Sequence, residues 1–299
     1  MTPARGGSGD LPAGLPPDCV AVRSAAGQWI ARRACAAAIG RGEADFILSG
    51  SGTRGTAPGS GRGPVTRLTL EGVPAIGKRA LHGGLLGPLL GGLYLGRGRP
   101  LDQLRASVRL SQSGVPTPEI LAVGSRRAAG FFRAQAIVAR EIAGARNLHE
   151  LARESLSSAR RREILDRTAS VLRDMHDAGF EHADLNLSNL VWGRGGAGET
   201  IFVVDLERGR FRDLMPAGVR VRALARLVRS CEKWVPRSHR PTRREEARFL
   251  LVYARGDAGL LHAIARRLGG YRGRLGARRL LWRLRSLPRS GDGLARPSE

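Results

Sequence analysis

The sequence predicts an α+β fold of two lobes, with strands concentrated in the first half and helices in the second. Residues 65–70 alternate apolar and polar side chains with the period of a strand, and residues 73–78 can form its hairpin partner. Residues 160–178 instead carry apolar side chains at helical spacing and stop at Gly179, a residue typical of helix ends. Because ligand clefts commonly lie between two such lobes, the middle of the chain is where a site is expected.

The remaining elements follow the same division. The first half is expected to hold a short helix over 29–38, a helix over 101–113 that ends at Gly114, and strands over 120–123 and 131–142. The second half is expected to hold helices over 219–230, 242–255, 259–268 and 278–287. The predicted organisation is a flexible tail over 1–18, an amino-terminal lobe over 19–145, a carboxy-terminal lobe over 146–290 and a second tail over 291–299.

The net charge of +24 first suggests a nucleic-acid partner, but the kind of cation argues against one. The chain has 50 basic residues, and the printed sequence shows that two are lysines and 48 are arginines. Any cation releases counterions from a phosphate backbone, so a polyanion-binding surface has no reason to exclude lysine. The arginine surplus therefore indicates a coding bias, and we expect no nucleic-acid partner.

Composition excludes several other classes. With 42% hydrophobic and 25% charged residues the chain is in the globular range. The best candidate for a membrane span, Gly83–Gly96, is short and broken by Gly and Pro, and the first 18 residues lack the apolar core of a secretion signal. The three cysteines are odd in number and lack metal-ligand spacing. These features predict a reducing, cytoplasmic location.

The most informative residues lie between Gly179 and Gly209. His182, Asp184 and Asn189 have the spacing H-x-D-x-x-x-x-N, and an apolar strand ends at Asp205 sixteen residues later. Phosphoryl transfer needs a carboxylate to orient the attacking hydroxyl and oxygen ligands for Mg²⁺. The pattern matches protein-kinase-like phosphotransferases, with Asp184 as the catalytic base and Asn189 and Asp205 as the metal ligands. His182 is expected to brace the loop by hydrogen bonding.

Such an enzyme also needs groups that hold the phosphates of ATP. Gly59, Gly61 and Gly63 precede the first predicted strand and fit a glycine-rich phosphate loop, although a linker fits them equally well. Lys78 lies fifteen residues beyond Gly63, in a chain that otherwise uses arginine almost throughout. A compact ammonium kept at that position indicates a geometric need, with a chance survivor as the alternative. Glu141, at the end of the last strand of the first lobe, occupies the hinge position where adenine contacts backbone.

The chain resembles the lipopolysaccharide kinases of Gram-negative bacteria over about residues 55–240, and is most similar to those that act on 3-deoxy-D-manno-octulosonic acid (Kdo). The resemblance rests on the segments KRALHGGLLG, GVPTP, REIAGARNL, HADLNLSNLV and VVDLERGR. It implies a protein-kinase-like fold, ATP and Mg²⁺ as cofactors, and phosphorylation of a Kdo hydroxyl on the lipid A precursor. It also implies a location on the cytoplasmic face of the inner membrane.

The resemblance assigns catalysis to Asp184, metal binding to Asn189 and Asp205, and phosphate binding to Lys78. It departs from the protein-kinase pattern on the helix at 101–113. There the position expected to hold a glutamate partner for Lys78 carries Gln103, with Asp102 beside it. Either Asp102 substitutes or the ion pair is absent. Ala183 replaces the arginine often found before the catalytic aspartate, so control by activation-loop phosphorylation is not expected.

Three alternatives stay open at this point. The acceptor could be a core heptose or another small hydroxyl compound, although a cationic aminoglycoside suits this basic chain poorly. The chain could also be an inactive kinase-fold binding protein. Residues 237–299 carry a net charge of +11, and a basic amphipathic helix over 278–285 could lie on an anionic membrane or could be an ordinary solvated helix. The oligomeric state is left open.

Overall fold

The computed structural model describes residues 11–50, 56–57, 65–79, 93–95, 98–127, 132–196 and 198–267. Within them a strand-rich amino-terminal lobe (N-lobe) precedes a largely helical carboxy-terminal lobe (C-lobe). The predicted α+β division of the chain is therefore confirmed. The helix predicted over 278–287 lies outside the described residues.

The N-lobe is built on one antiparallel sheet. Its strands are β1 (Cys19–Arg23), β2 (Gln28–Arg32), β3 (Thr56–Ala57), β4 (Val65–Leu70), β5 (Val73–Arg79), β6 (Leu93–Leu95), β7 (Ile120–Arg127) and β8 (Phe132–Arg140). They lie in the order β1-β2-β7-β8-β5-β4-β3, and β6 also pairs with β8. Three helices accompany the sheet: α1 (Ala36–Gly40), α2 (Asp45–Ser49) and α3 (Gly98–Gln112).

The β4–β5 hairpin places Lys78 in the interior of this sheet. Glu71 and Gly72 turn the chain with φ of 48° and 76°, the left-handed values that a tight two-residue hairpin requires. Lys78 then pairs with Val65 on one side and with Ile137 of β8 on the other. A residue bonded from both sides has a well-fixed backbone, so only its side chain can adjust.

Two expectations for the first fifty residues were wrong. Trp29 lies in β2 and not in a helix, because Trp29 and Ala31 are buried while Gln28 is exposed, which is the period of a strand. The helix begins only at Ala36. Residues 11–18, predicted to lie in a flexible tail, instead pack on the lobe: Leu11 and Leu15 join an apolar cluster with β1 and β7, and Arg105 donates to the carbonyl oxygen of Ala13 at 3.0 Å.

The C-lobe combines two small sheets with a helical core. Its strands are β9 (Ala143–Asn147), β10 (Phe180–Glu181), β11 (Leu190–Gly195), β12 (Gly198–Val203) and β13 (Arg210–Phe211), in the sheets β12-β11-β9 and β10-β13. Its helices are α4 (Leu148–Leu151), α5 (Ser158–Asp177), α6 (Ala217–Trp234), α7 (Arg243–Ala254) and α8 (258–267). The predicted helices over 160–178, 219–230, 242–255 and 259–268 are thus confirmed.

Helix α5 runs through the centre of the C-lobe core. Leu172 and Met175 have no exposed surface, and the buried His176 ring contacts the Tyr253 hydroxyl of α7 at 2.7 Å through Nδ1. Burial, assisted by the positive charge of Arg220, lowers the pKa of His176 to about 3. The α5–α7 contact therefore contains a neutral imidazole. Among the described residues no helix is both long enough and apolar enough to span a bilayer.

Candidate active site

The loop with the H-x-D pattern leaves β10 at the end of α5. Gly179 ends the helix with φ of 79°, and a Cβ at this position would lie 2.3 Å from the carbonyl oxygen of Arg212. Glycine is therefore required for the chain to turn into β10. Phe180 is fully buried and packs edge-on against the ring of His182, so the loop starts from a fixed apolar base.

His182 braces the loop as predicted. Its Nε2 lies 2.9 Å from the carbonyl oxygen of Val204, and the backbone N–H of Asp184 donates to its Nδ1 at 3.2 Å. These partners require the proton on Nε2 and a lone pair on Nδ1. Burial lowers the pKa of His182, which keeps this neutral tautomer. The imidazole thus joins the loop to the chain immediately before Asp205.

Two asparagines shape the rest of the loop. Asn186 Oδ1 accepts from the N–H groups of Ser188 and Asn189 at 2.9 and 3.2 Å, and so caps the 3₁₀ turn at Leu187–Asn189. Asn189 Nδ2 donates to the carbonyl oxygen of Asp184 at 2.8 Å. Because that bond holds the amide nitrogen toward the loop, Asn189 Oδ1 is directed away from it.

Asp205 follows β12 in a strained conformation. Its φ of 61° and ψ of 55° are left-handed values, which are uncommon for a residue with a side chain and concentrate at functional sites. The N–H of Val204 donates to the carbonyl oxygen of Asn189 at 3.0 Å, so Asp205 lies directly beside the loop. Lys78 Nζ reaches Asp205 Oδ1 at 3.6 Å from the N-lobe. The structure therefore brings together Lys78, Asp184, Asn189 and Asp205.

The profile of the lipopolysaccharide kinase (Kdo/WaaP) family matches residues 92–253, more than half of the chain. The chain belongs to this family. It is therefore a phosphotransferase with an alcohol group as the acceptor, as the resemblance implied.

Two relatives of this kinase are consistent with the family assignment, and one solved structure is consistent with the fold. A 3-deoxy-D-manno-octulosonic acid kinase of Stenotrophomonas maltophilia (strain R551-3) is 32% identical over 178 residues, which are 58% of this chain and 68% of that protein. One of Xanthomonas axonopodis pv. citri (strain 306) is 32% identical over 161 residues, covering 52% and 61%. The structure of WaaP in complex with acyl carrier protein superposes with a TM-score of 0.50 at 22% identity, over 77% of this chain and 93% of WaaP. That likeness confirms the kinase-like fold.

Of the two expectations for Lys78 in this lipopolysaccharide kinase, the structure agrees with the absence of an ion pair to helix α3, because Lys78 Nζ lies 3.6 Å from Asp205 Oδ1 instead. Asp102 does not substitute for the missing glutamate, because its carboxylate is bound by Arg105 one turn along α3, at 3.2 Å. Gln103 lines a small cavity together with Lys78. A second ion pair joins α3 to the segment after Asp205, with Arg99 Nη1 at 2.9 Å from Glu207 Oε1.

Sequence reasoning missed Arg99, Glu207 and Asn186. Glu207 stands two residues after Asp205 in the segment VVDLERGR, so its closeness to the site could have been noticed. Asn186 precedes a short turn, which is the position where asparagine acts as a cap. Arg99 carried no local signal, since arginine is the default basic residue of this chain.

Of the residues predicted to contact the nucleotide at the hinge and the glycine-rich loop, the structure describes Glu141 but not the three glycines. Glu141 lies at the link between the lobes, where its Oε1 accepts from Arg67 Nε at 2.7 Å and its N–H donates to the carbonyl oxygen of Pro74. Its carboxylate is thus engaged by the N-lobe sheet. Gly59, Gly61 and Gly63 lie outside the described residues, between Ala57 and Val65, which pair as neighbours in β3 and β4.

An ion pair fixes the segment that follows Asp205. Glu181 of β10 accepts from Arg210 Nε at 2.8 Å and from Arg212 Nε at 2.6 Å. Burial raises the pKa of Glu181, but the two guanidinium groups outweigh burial and hold its pKa below the ordinary value. The carboxylate therefore ties β13 to the strand that leads into the loop.

The oxygen atoms at the site suit a nucleotide-bound magnesium ion. Asn189 offers an amide oxygen and Asp205 a carboxylate, and Mg²⁺ prefers such hard oxygen ligands. Among the described residues no group of three or more His, Cys, Asp or Glu side chains could enclose a metal by itself. Mg²⁺ in kinases is bound by one or two protein groups together with phosphates and water, so this pair fits.

Proposed function

We propose that this kinase transfers the γ-phosphoryl group of ATP to a hydroxyl of Kdo in the lipid A-linked precursor of lipopolysaccharide. The observation that carries the proposal is the juxtaposition of Asp184, Asn189 and Asp205 around one braced loop. The acceptor is suggested by the relatives, which are named for Kdo.

Asp184 is the proposed catalytic base. Its N–H is held by His182 and its carbonyl oxygen by Asn186 and Asn189, so its main chain is fixed on both sides. The side chain itself is exposed in the cleft. A carboxylate on so rigid a support can orient an incoming sugar hydroxyl and accept its proton during attack.

Lys78, Asn189 and Asp205 are the proposed binding groups for Mg·ATP. When bound, the ion neutralises the charge that develops on the transferred phosphoryl group. Asn189 Oδ1 and the Asp205 carboxylate are the atoms proposed to coordinate it. Lys78, already 3.6 Å from Asp205, is proposed to hold the phosphates over the same carboxylate. Gly59, Gly61, Gly63 and the backbone near Glu141 are proposed to complete the nucleotide site.

Location follows from the acceptor. Because the proposed substrate is anchored in a bilayer, we propose that the enzyme acts as a peripheral protein on the cytoplasmic face of the inner membrane. Fractionation of cells with and without a high-salt wash tests this, since an electrostatic attachment is released by salt.

The decisive experiment incubates the purified chain with ATP, Mg²⁺ and Kdo-lipid A and follows the mass of the acceptor. A gain of one phosphoryl group on the Kdo moiety is expected. A heptose-containing core acceptor, run in parallel, should gain none, and a melting-temperature rise with Mg·ATP should separate an enzyme from an inactive binding protein. Phosphorylation of heptose alone would replace the proposed acceptor.

Asp184→Asn tests the proposed base. We expect a loss in kcat of about 10²–10⁴-fold, the range for removal of a general base, with an unchanged melting temperature. Asp102→Asn is the matched control, because that carboxylate lies on α3 and pairs with Arg105 outside the cleft. Turnover by Asp184→Asn within a few-fold of the parent would refute the assignment.

A further inference from the structure

Helix α6 differs in charge from the other long helices of the C-lobe. Helix α5 has five arginines and four carboxylates, and α7 has three arginines and two glutamates. Helix α6 has four arginines and one lysine against a single glutamate. A coding bias toward arginine acts on all three helices alike, so it does not explain why α6 is nearly without acids.

Several arginines of α5 and α7 are engaged in ion pairs within the lobe. Arg161 meets Glu245 at 3.1 Å and Arg248 meets Asp166 at 2.7 Å, so each helix supplies the other's counterions. On α6, Arg220 behaves in the same way and pairs with Asp177 at 2.8 Å. The other four cations of α6 occupy a different side of the helix.

These four residues form one face, here named the α6 basic face: Arg222, Arg226, Arg229 and Lys233. Their spacing of four, three and four residues places them in a single row along the helix. Arg222, Arg229 and Lys233 are exposed, and Arg226 is half-buried. The row therefore concentrates four positive charges along one side of the helix, an arrangement that can bind several anionic groups of one ligand.

The α6 basic face lies beside the catalytic loop. Arg226 Nη1 donates to the carbonyl oxygen of His182 at 3.3 Å, and the N–H of Leu187 donates to Ser230 Oγ at 3.2 Å. These two contacts bracket Asp184 in sequence. A ligand held along the row would therefore reach the cleft where the acceptor hydroxyl must be placed.

Apolar side chains stand at both ends of the row. Leu214, just before α6, is 81% exposed, and Trp234, its last residue, is 51% exposed. Lys233 Nζ lies 4.5 Å above the Trp234 ring. Cations flanked by exposed Leu and Trp suit a ligand that carries anionic groups next to an apolar part, because each kind of surface finds its complement.

We propose that the α6 basic face binds the phosphate and carboxylate groups of the lipid-linked acceptor and so positions its sugar over Asp184. This rests on the proposed function for the acceptor, but the binding step can be measured without turnover. Arginine suits this role because its guanidinium binds phosphate and carboxylate through two parallel hydrogen bonds. Arg226, which also touches the loop, would couple acceptor binding to loop position.

The test uses the double variant Arg222→Ala/Arg229→Ala, which leaves Arg226 and the catalytic loop intact. The expected result is a rise in KM for Kdo-lipid A of at least tenfold, with kcat at saturating acceptor and KM for ATP within twofold of the parent. The control is Arg237→Ala/Arg244→Ala, two exposed arginines beyond α6, which should change none of these values. Far-UV circular dichroism and a melting temperature close to that of the parent verify that the double variant is folded.

Direct binding separates the sources of anionic charge. Sedimentation is measured with phosphatidylcholine vesicles that contain either Kdo-lipid A or enough phosphatidylglycerol to match its charge. The proposal expects the double variant to lose binding to the Kdo-lipid A vesicles at least tenfold more than to the matched vesicles. Equal losses on both would overturn it in favour of general attachment to acidic headgroups, and unchanged binding and KM would overturn it outright.

The outcomes also distinguish the two proposals. If the parent phosphorylates Kdo-lipid A and the double variant does so with the same KM, the α6 proposal fails and the proposed function stands. If the parent binds Kdo-lipid A through this face but transfers no phosphate to it, the α6 proposal stands and the acceptor assignment fails.

Discussion

The two walls of the cleft are held in different ways. On the C-lobe wall, main-chain groups are bonded to one another, to a buried ring or to a short amide side chain: Val204 to the His182 ring, Val204 to Asn189, and Asp184 to the Asn189 amide. The N-lobe side packs on the C-lobe through Ala106, Leu110 and Val115 and accepts the Val203 N–H at the Pro116 carbonyl oxygen. Beside Asp205, however, it contributes two long charged side chains. Lys78 and Arg99 reach Asp205 and Glu207, two residues apart, at 3.6 and 2.9 Å.

This difference predicts how rigid each wall is and how strongly it depends on salt. Main-chain bonds lose little entropy once the fold has formed, whereas lysine and arginine each give up about 2 kcal/mol of rotamer freedom when held in one place. Partly exposed ion pairs are also screened by salt, while a buried histidine is not. We therefore expect the catalytic loop to be pre-organised and the contacts made by Lys78 and Arg99 to depend on charge.

The largest expected effect comes from Asp205→Asn, which tests the C-lobe wall. Asparagine tolerates the left-handed conformation, so the fold should be unchanged while the carboxylate is lost. We expect kcat to fall roughly 10³-fold, the scale of losing a group that stabilises charge in the transition state. Steady-state kinetics and urea unfolding measure both parts.

Asp205→Ala completes that comparison. It should be as inactive as Asp205→Asn and in addition less stable by about 1–2 kcal/mol, because alanine lacks the local hydrogen bonding that favours a left-handed residue. Equal stability of the two variants would show that the conformation carries no strain. A kcat above a tenth of the parent value in either variant would show that the Asp205 carboxylate is not needed for catalysis.

The second prediction concerns the Arg99–Glu207 pair of the N-lobe wall. Arg99→Ala and Glu207→Ala should each lower kcat/KM for ATP about tenfold, because the ion pair between α3 and the segment after Asp205 is lost. The combined variant should lose little more than either single one, which corresponds to a coupling of about 1.4 kcal/mol. Raising the salt concentration should reduce the parent's activity and leave the single variants less affected.

A matched pair on the same helix provides the control. Asp102 and Arg105 are joined at 3.2 Å one turn apart, and the Asp102 side chain is exposed to solvent. Asp102→Ala removes this pair and leaves the bond from Arg105 to the Ala13 carbonyl oxygen in place, so it should leave kcat/KM unchanged and cost at most about 0.5 kcal/mol of stability. Losses at Arg99 and Glu207 that simply add would contradict the idea that the pair acts as one contact across the cleft.

The smallest effect is a pH dependence of C-lobe stability. The pKa of His176 is about 3 in the folded chain and near 6.5 when unfolded. Between these values the unfolded chain binds the extra proton, so this group's stabilisation is complete above pH 6.5 and falls as pH is lowered, by about 1.4 kcal/mol per unit. Urea unfolding at pH 7.5 and 5.5 should show it.

His176→Gln isolates that contribution. Glutamine does not titrate, so the difference in unfolding free energy between the two pH values should shrink by about 1.4 kcal/mol relative to the parent. The variant is also less stable at pH 7.5 if its amide fails to replace the Tyr253 contact. An unchanged pH difference would mean that another group carries the acid sensitivity and that His176 is not the vulnerable point of this lobe.

Sequence reasoning succeeded where neighbours in space are also near in the chain. Asp184 and Asn189 are five residues apart in one loop, and their spacing alone predicted that they would meet. Lys78 was identified because lysine is rare here. The Arg99–Glu207 contact joins residues 108 positions apart, and nothing local distinguishes Arg99 from the other arginines.

The same reasoning explains the errors near the amino terminus. A run as short as that around Trp29 fits a strand or a helix equally well, and only pairing with β1 and β7 decides. Leu11 and Leu15 look like part of a Gly- and Pro-rich tail because the residues that cover them, such as Leu104 and Ile120, lie far later in the chain.

Because this arginine-rich protein has two lysines, amine-selective labelling can report on ligand binding near each of them. Guanidinium groups stay protonated and resist acylation near neutral pH, so an amine-selective reagent finds two side chains besides the terminal amine. Lys78 is 35% exposed beside Asp205, and Lys233 is exposed at the far end of α6. Nucleotide should shield the first and acceptor lipid the second. Peptide mass spectrometry of one labelled sample would then measure protection of Lys78 by nucleotide and of Lys233 by acceptor lipid. The lysine that is not protected by a given ligand serves as the internal standard for the other.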